Sequence, residues 1–230
     1  MSKGNGRALR AVVIDLETTG MDETDSIVEL ATVLVLNKRT SLGRSYFIDP
    51  GRPIPPQARA IHHISDADVK GQPTLETILA EYVLPLMPFV PVAHFAEFDS
   101  KFLPSLPKDW ICTWRCARAL WPEAPSHSNQ TLRYWLPGVE ALVGDKGFPT
   151  HRALADAWVT SFVFLEMLKL RTIDELIAIT KAPLLLKTVT FGKHNGLEWS
   201  QVPKSYLEWI VTCDFDRDTL HTAHYHLGAN

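Results

Sequence analysis

AVVIDLETTG, residues 11–20, runs four apolar residues into two carboxylates one residue apart, Asp15 and Glu17, and then into a Thr-Thr-Gly turn. Side chains at i and i+2 of a strand point to the same side, so the two acids share a face. A pair of acids closing an ordinary strand stands in solvent, where most acidic residues are found. Two like charges held together at the end of a buried strand are costly unless a cation lies between them. Which description holds depends on whether the chain supplies further acids of the same kind.

The 230 residues are 46% hydrophobic and 21% charged, enough for one good core plus a small appendage, which excludes disorder as the main state. The polar start MSKGNGRALR, followed by only four apolar residues before Asp15, does not resemble a signal peptide. No apolar run approaches the roughly 18 residues of a membrane span, so the cytoplasm is the expected location and no membrane partner is expected. Cys112, Cys116 and Cys213 form an odd set without the paired spacing of a disulfide framework or zinc site. A net charge of −3, from 23 Lys+Arg against 26 Asp+Glu, counts against a passive nucleic-acid coat protein. It does not count against a metal-dependent nuclease, because four liganding carboxylates and two divalent cations cancel in charge.

The order of elements is α/β. SIVELATVLVLN (26–37) and TSLGRSYFIDP (40–50) read as strands joined by the polar NKRT, giving an antiparallel hairpin or meander after the first strand. PGRPIPPQARAIHHISDADVKGQP is a long surface loop with at most short helices, and TLETILAEYVLPLM has helical spacing until Pro85 and Pro88. FVPVAH is a fourth strand, FAEFDSKFLPSL a helix pairing Phe98 with Phe102 at i and i+4, and WICT a short strand. HRALADAWVTSFVFLEMLKL carries Leu154, Trp158, Phe162 and Leu165 as an apolar stripe. The tail has its own short strand around TVTFG, its own aromatics and a turn at HNG, which sets a boundary near residue 171.

Further acids do follow. Asp99 lies just after the fourth strand, and Asp156 lies on the last long helix of the first domain, five residues beyond His151. Four carboxylates from three separated elements suit two Mg²⁺ or Mn²⁺ ions, which prefer hard oxygen ligands, and His151 is placed to act as a base.

IDLETTG, AHFAEFDSKFL and HRALADA resemble the three motifs of the DEDD superfamily of exonucleases, in its DEDDh branch, whose third motif carries His. ISDADV, WICTWRCARALWP, HRALADAWVT and the tail TFGKHNG plus YLEWI are similar to the exodeoxyribonuclease X type within that branch. The resemblance implies a ribonuclease H-like fold, a mixed sheet flanked by helices, as an exonuclease domain over residues 1–171. A small α+β module, implied to extend contact with nucleic acid, would occupy residues 172–230. It implies hydrolysis of DNA from the 3′ end to nucleoside 5′-monophosphates with two Mg²⁺, for which Mn²⁺ substitutes. The implied partner is DNA with a 3′ end, single-stranded or frayed. Asp15, Glu17, Asp99 and Asp156 would hold the metals, and His151 would take the proton of the attacking water.

By the same resemblance the terminal nucleotide lies against Leu16, Thr18, Thr19, Gly20, Met21, Ile64, His94, Phe95 and Phe98. Met21 would stack beneath or wedge beside the base, Gly20 would allow close backbone approach, and His62 and His63 are expected at the surface. One departure stands out: Phe95 occupies the position where the second motif usually has Asn, which removes a polar contact and offers a ring that can stack on a base. In the tail, Lys187, Lys193, His194 and Lys204 offer a small basic surface. A ribonuclease of the same fold stays open, since nothing visible senses a 2′-hydroxyl. A glycosidase would need only two acids, and a noncatalytic nucleic-acid-binding module would have no use for a catalytic cluster.

Overall fold

The computed structural model describes residues 10–228; the polar start read as carrying no signal peptide lies outside them, apart from Arg10. Strand β1 (Arg10–Thr18) is the centre of a five-stranded sheet of order β3-β2-β1-β4-β5. It pairs antiparallel with β2 (Ile27–Leu36), which pairs antiparallel with β3 (Arg39–Phe47). Asn37 and Lys38 turn that hairpin with φ of 48° and 62°, the left-handed pair that a two-residue turn between right-twisted strands requires. On its other side β1 runs parallel to β4 (Val90–Ala93), and β5 (Ile111–Cys112) closes the sheet.

Strand alternation sorts the core into two layers. Ala11 and Val13 point to one face, with Val33, Val92 and Ile111, while Val12, Ile14 and Leu16 point to the other. Asp15 and Glu17 continue the row of Ala11 and Val13. Helices α1 (Pro56–His62) and α2 (Asp66–Val69) punctuate the long loop, which carries a small core of Ile54, Ala58, Ile64 and Val69 against Val28. Helix α3 (Leu75–Ile78) widens into a π turn over Leu79–Val83 before Pro85. Helix α4 (Ala96–Phe102) follows β4 directly and packs Phe98 on Phe102 with ring centroids 5.1 Å apart.

Helices α5 (Thr113–Leu120), α6 (Asn129–Trp135) and α7 (Val139–Val143) lead to α8 (Ala153–Leu170). This helix lies across β1 and β2 on the Asp15 face and is buried on most sides. The expected stripe is only part of that surface: Phe162 is buried, whereas Leu154, Trp158 and Leu165 are half-buried, and Ala153, Ala157, Phe164 and Met167 sit deeper. A helix enclosed on several sides has no single apolar face to read.

The chain divides into two compact units, residues 1–180 and 181–230. The division falls later than residue 171 because α9 (Ile173–Lys181) belongs to the first unit: Leu176 is fully buried in its core, and Thr180 Oγ1 accepts a 3.0 Å hydrogen bond from Cys112 N–H. Cys112 and Cys116 are buried free thiols. The second unit is built from α10 (Lys204–Ile210) and α11 (Arg217–Leu227) around Val189, Trp199, Leu207 and Ile210. The strand expected around TVTFG is reduced to a single antiparallel bridge, Thr188 to Glu198, because Gly192 and Gly196, both at positive φ, turn the chain within a few residues.

Candidate active site

β1 delivers Asp15 and Glu17 to its carboxyl end, α8 brings Asp156 from above the same face, and the first turn of α4 supplies Asp99. Carboxylate oxygens of Asp15, Glu17 and Asp156 all lie within 4.8 Å of one another. Asp99 is buried beside them, and its charge is the strongest repulsion felt by Asp15. Burial, then repulsion by Asp99, Asp156, Glu17 and Glu29, holds the Asp15 carboxyl well above the usual carboxylate range. Burial first, then Asp156 and Glu29, pushes Glu17 up to about 8, against a pull downward from Arg152. Burial also pushes Asp99 up to about 8. Asp156 is raised by burial, although hydrogen bonds from Gln130 Nε2 (2.8 Å) and the His151 N–H (2.8 Å) oppose the shift. Clustered hard oxygens that repel one another to this degree fit a divalent cation and no softer ion.

His151 precedes α8 at φ 57°, in the left-handed region, with its side chain exposed. Its backbone is tied to Asp156, and the next residue, Arg152, reaches Glu29 with Nε to Oε2 and Nη2 to Oε1 both at 3.0 Å. Glu29, 1% exposed, stands opposite Glu17 across the β1–β2 ladder. Sequence reasoning passed over it as one polar residue in a hydrophobic strand; its only signal was a charge inside SIVELATVLVLN. Gln130, on α6, was missed as well, having no local pattern to mark it.

The residues expected around the nucleotide divide into two groups. Leu16, Thr18 and Thr19 are buried at the end of β1, and the turn after them is closed by Thr18 Oγ1 to Gly20 O (2.6 Å) and Thr19 Oγ1 to Asp25 Oδ1 (2.8 Å). A Cβ on Gly20 would run into the Asp25 carboxylate, so a larger residue there would have to displace the side chain that bonds Thr19. Met21 is 68% exposed at the tip. Phe95 is 45% exposed at φ 71°, ψ 50°, edge-on to Trp114 with centroids 5.4 Å apart, and Phe98 is half-buried. Asn tolerates that backbone region far better than Phe, so the substitution in the motif carries a local conformational cost of about 1–2 kcal/mol.

Ile64 and His94 are turned inward. Ile64 is buried in the small loop core, and His94 Nδ1 lies 2.9 Å from Thr113 Oγ1, with burial lowering its pKa to about 4. His62, expected at the surface, is buried, its Nδ1 accepting from the Ile64 N–H at 2.9 Å, because Ile64 beside it is drawn into the loop core.

Acids converging at the carboxyl end of the central strand of this mixed sheet define a nuclease of the ribonuclease H-like fold. Residues 12–164 match the family model described as Exonuclease. Exodeoxyribonuclease 10 of Escherichia coli (strain K12) is 36% identical over 203 residues, covering 86% of this chain and 89% of that protein. DNA polymerase III subunit epsilon of Aquifex aeolicus (strain VF5) is 32% identical over 171 residues, covering 69% of this chain and 80% of that protein. The solved structure of Exonuclease X in complex with 5′ overhanging duplex DNA superposes with a TM-score of 0.63 at 34% identity, over 74% of this chain and 99% of that one. The chain belongs to the exonuclease family. No helix among the described residues is long and apolar enough to cross a membrane.

The raised acids set a pH dependence. Each holds its proton more tightly folded than unfolded, where carboxyls titrate near about 4, so the folded state binds more protons between about pH 4 and 8. Without divalent metal, stability therefore falls as pH rises through that window. Thermal unfolding in EDTA should show Tm dropping by several degrees from about pH 5 to about pH 9, and added Mg²⁺ should restore more at the higher pH. A Tm that climbs steadily over that range in EDTA would contradict the burial of these acids.

Proposed function

We propose that this protein is a 3′-5′ exodeoxyribonuclease that removes nucleoside 5′-monophosphates from the 3′ end of DNA, single-stranded or frayed, in the cytoplasm. The observation that carries the reading is the convergence of Asp15, Glu17 and Asp156 within 4.8 Å, with Asp99 buried beside them. That cluster occurs in a chain 36% identical to an exodeoxyribonuclease. Asp15, Glu17, Asp99 and Asp156 would hold two Mg²⁺, with Mn²⁺ able to substitute. When bound, the ions supply Lewis acidity toward the phosphate and the attacking water, and neutralise charge as the P–O3′ bond breaks.

The chain's own residues do the rest. His151, exposed at the mouth of the site, accepts the proton of the attacking water and passes it to solvent. Gln130 and the His151 N–H fix the Asp156 carboxylate in place. Thr18, Thr19 and Gly20 form a stiff turn beside the acids, Met21 projects from it, and the exposed Phe95 ring offers a sequence-tolerant stacking surface.

With a 5′-labelled single-stranded DNA oligonucleotide and Mg²⁺, a descending ladder is expected that vanishes with EDTA. In Asp15→Asn and His151→Ala it should slow by at least about a hundredfold. Shortening of matched RNA alone would move the substrate to RNA, and intact DNA and RNA together would leave a binding role. Phe95→Ala should raise KM for the oligonucleotide by about tenfold, the order of one lost base–aromatic stack, with kcat little changed; an unaltered KM would remove Phe95 from the binding surface.

The second unit would add contact with nucleic acid. Trp209 is 47% exposed with its ring centroid 5.0 Å from that of Tyr206 and tilted to it by 31°, and Lys193 Nζ lies 5.3 Å from the Tyr206 centroid, a cation beside two neighbouring aromatics. Trp209→Ala with Lys193→Ala should weaken single-stranded DNA binding several-fold and reduce its salt dependence while leaving kcat at saturation intact. Equal affinity of the double variant and wild type would assign the unit another role.

A further inference from the structure

The geometry points to Glu29 and Arg152 as a positioning pair for His151, a latch that fastens the segment before α8 to strand β2. This rests on the reading of His151 as the proton acceptor.

His151 has no regular structure to hold it. It sits at a left-handed φ of 57°, exposed, and the helix begins only at Ala153. Arg152, the residue between, has no side-chain cap for α8 and spends its guanidinium on Glu29. The contact is two-pronged, with both N–O distances at 3.0 Å, and the Ala153 N–H adds a third bond to Glu29 Oε2 at 3.1 Å. Ser45 on β3 donates to Glu29 Oε1 at 2.5 Å. One buried carboxylate thus fixes two consecutive residues after His151, while the His151 N–H is held by Asp156. A planar fork on a carboxylate restrains direction as well as distance, which a point contact does not.

The same accounting separates Glu29 from the metal-binding acids. Both of its oxygens are committed, Oε1 to Ser45 and Arg152, Oε2 to Arg152 and Ala153, and it is absent from the group whose oxygens converge within 4.8 Å. A carboxylate saturated by donors and paired with a guanidinium serves geometry. Misplacing a proton acceptor by an ångström is costly to rate and nearly neutral for substrate affinity.

The test is a double-mutant cycle in the full-length protein with Mg²⁺ and labelled single-stranded DNA, using single-turnover rates so that slow variants are measurable. Glu29→Gln and, from the half-exposed side, Arg152→Gln should each lower the rate by about tenfold with KM within about threefold of wild type. Arg152→Lys, which keeps the charge without the fork, should recover only part of the loss. In a His151→Ala background the same substitutions should change the rate by less than about twofold, because their effect passes through the missing imidazole. Hydrogen exchange in metal-free protein gives an independent reading: the His151 and Ala153 amides should lose protection in Arg152→Gln while those of β1 do not. Losses of equal size with and without His151, or unchanged amide protection, overturn the proposal. A wild type that cuts no nucleic acid defeats the functional reading and this inference with it, whereas additive losses in an active enzyme defeat the inference alone.

Discussion

Repulsion among buried carboxylates at the end of β1 is the constraint around which this molecule is arranged. Asp15, Glu17, Asp99 and Asp156 come from three elements, and folding brings them closer than their charges favour. The apolar packing of α8 across β1 and β2, and of α4 behind β4, supplies the free energy that holds them there. Because the sheet and helices meet through rigid side-chain packing, the acids cannot drift apart to relieve the strain, and a divalent cation relieves it instead.

A second layer of polar contacts gives the cluster its shape. Gln130 on α6 and the His151 N–H ahead of α8 orient Asp156, and Arg152 brings a positive charge next to Glu17 while pairing with Glu29. Arg152 pairs with Glu29, so the surplus charge in the site is that of the clustered acids Asp15, Glu17, Asp99 and Asp156. Around the rim, backbone conformations disfavoured for ordinary side chains recur at Phe95 and His151, both at positive φ. Strained backbone at a site persists only where the surroundings over-determine it, and both positions sit one residue or two from a helix start.

What was legible in the sequence was whatever is encoded locally. The apolar run into Asp15 and Glu17, the β2–β3 hairpin and the long helix that carries Asp156 are patterns of strand and helix period, and the structure has them as read. Glu29 was illegible because its meaning lies in a partner 123 residues away, and inside a β-branched strand a lone charge reads as an edge. Gln130 has the same defect. His62 was misplaced because Pro- and Gly-rich sequence signals a surface loop, yet this loop folds back on Ile54, Ile64 and Val69 and buries part of itself. The strain at Phe95 is invisible in a residue string, since it belongs to a backbone angle fixed by the β4–α4 turn. The division falls later because α9 carries Leu176, with Ile173, Ile177 and Ile179 half-buried beside it, into the first core, a tertiary contact that no local pattern marks.

That last helix has a consequence for how the chain is assembled. With Leu176 seated and Thr180 bonded to the edge strand, the catalytic unit finishes its own interior before the polypeptide leaves it. The residues beyond that point have an interior of their own, around Val189, Trp199, Leu207 and Ile210, so the core beneath the acids draws nothing from them. In evolutionary terms two units with separate interiors can change one at a time, the arrangement expected where one chemistry is to be carried to different addresses.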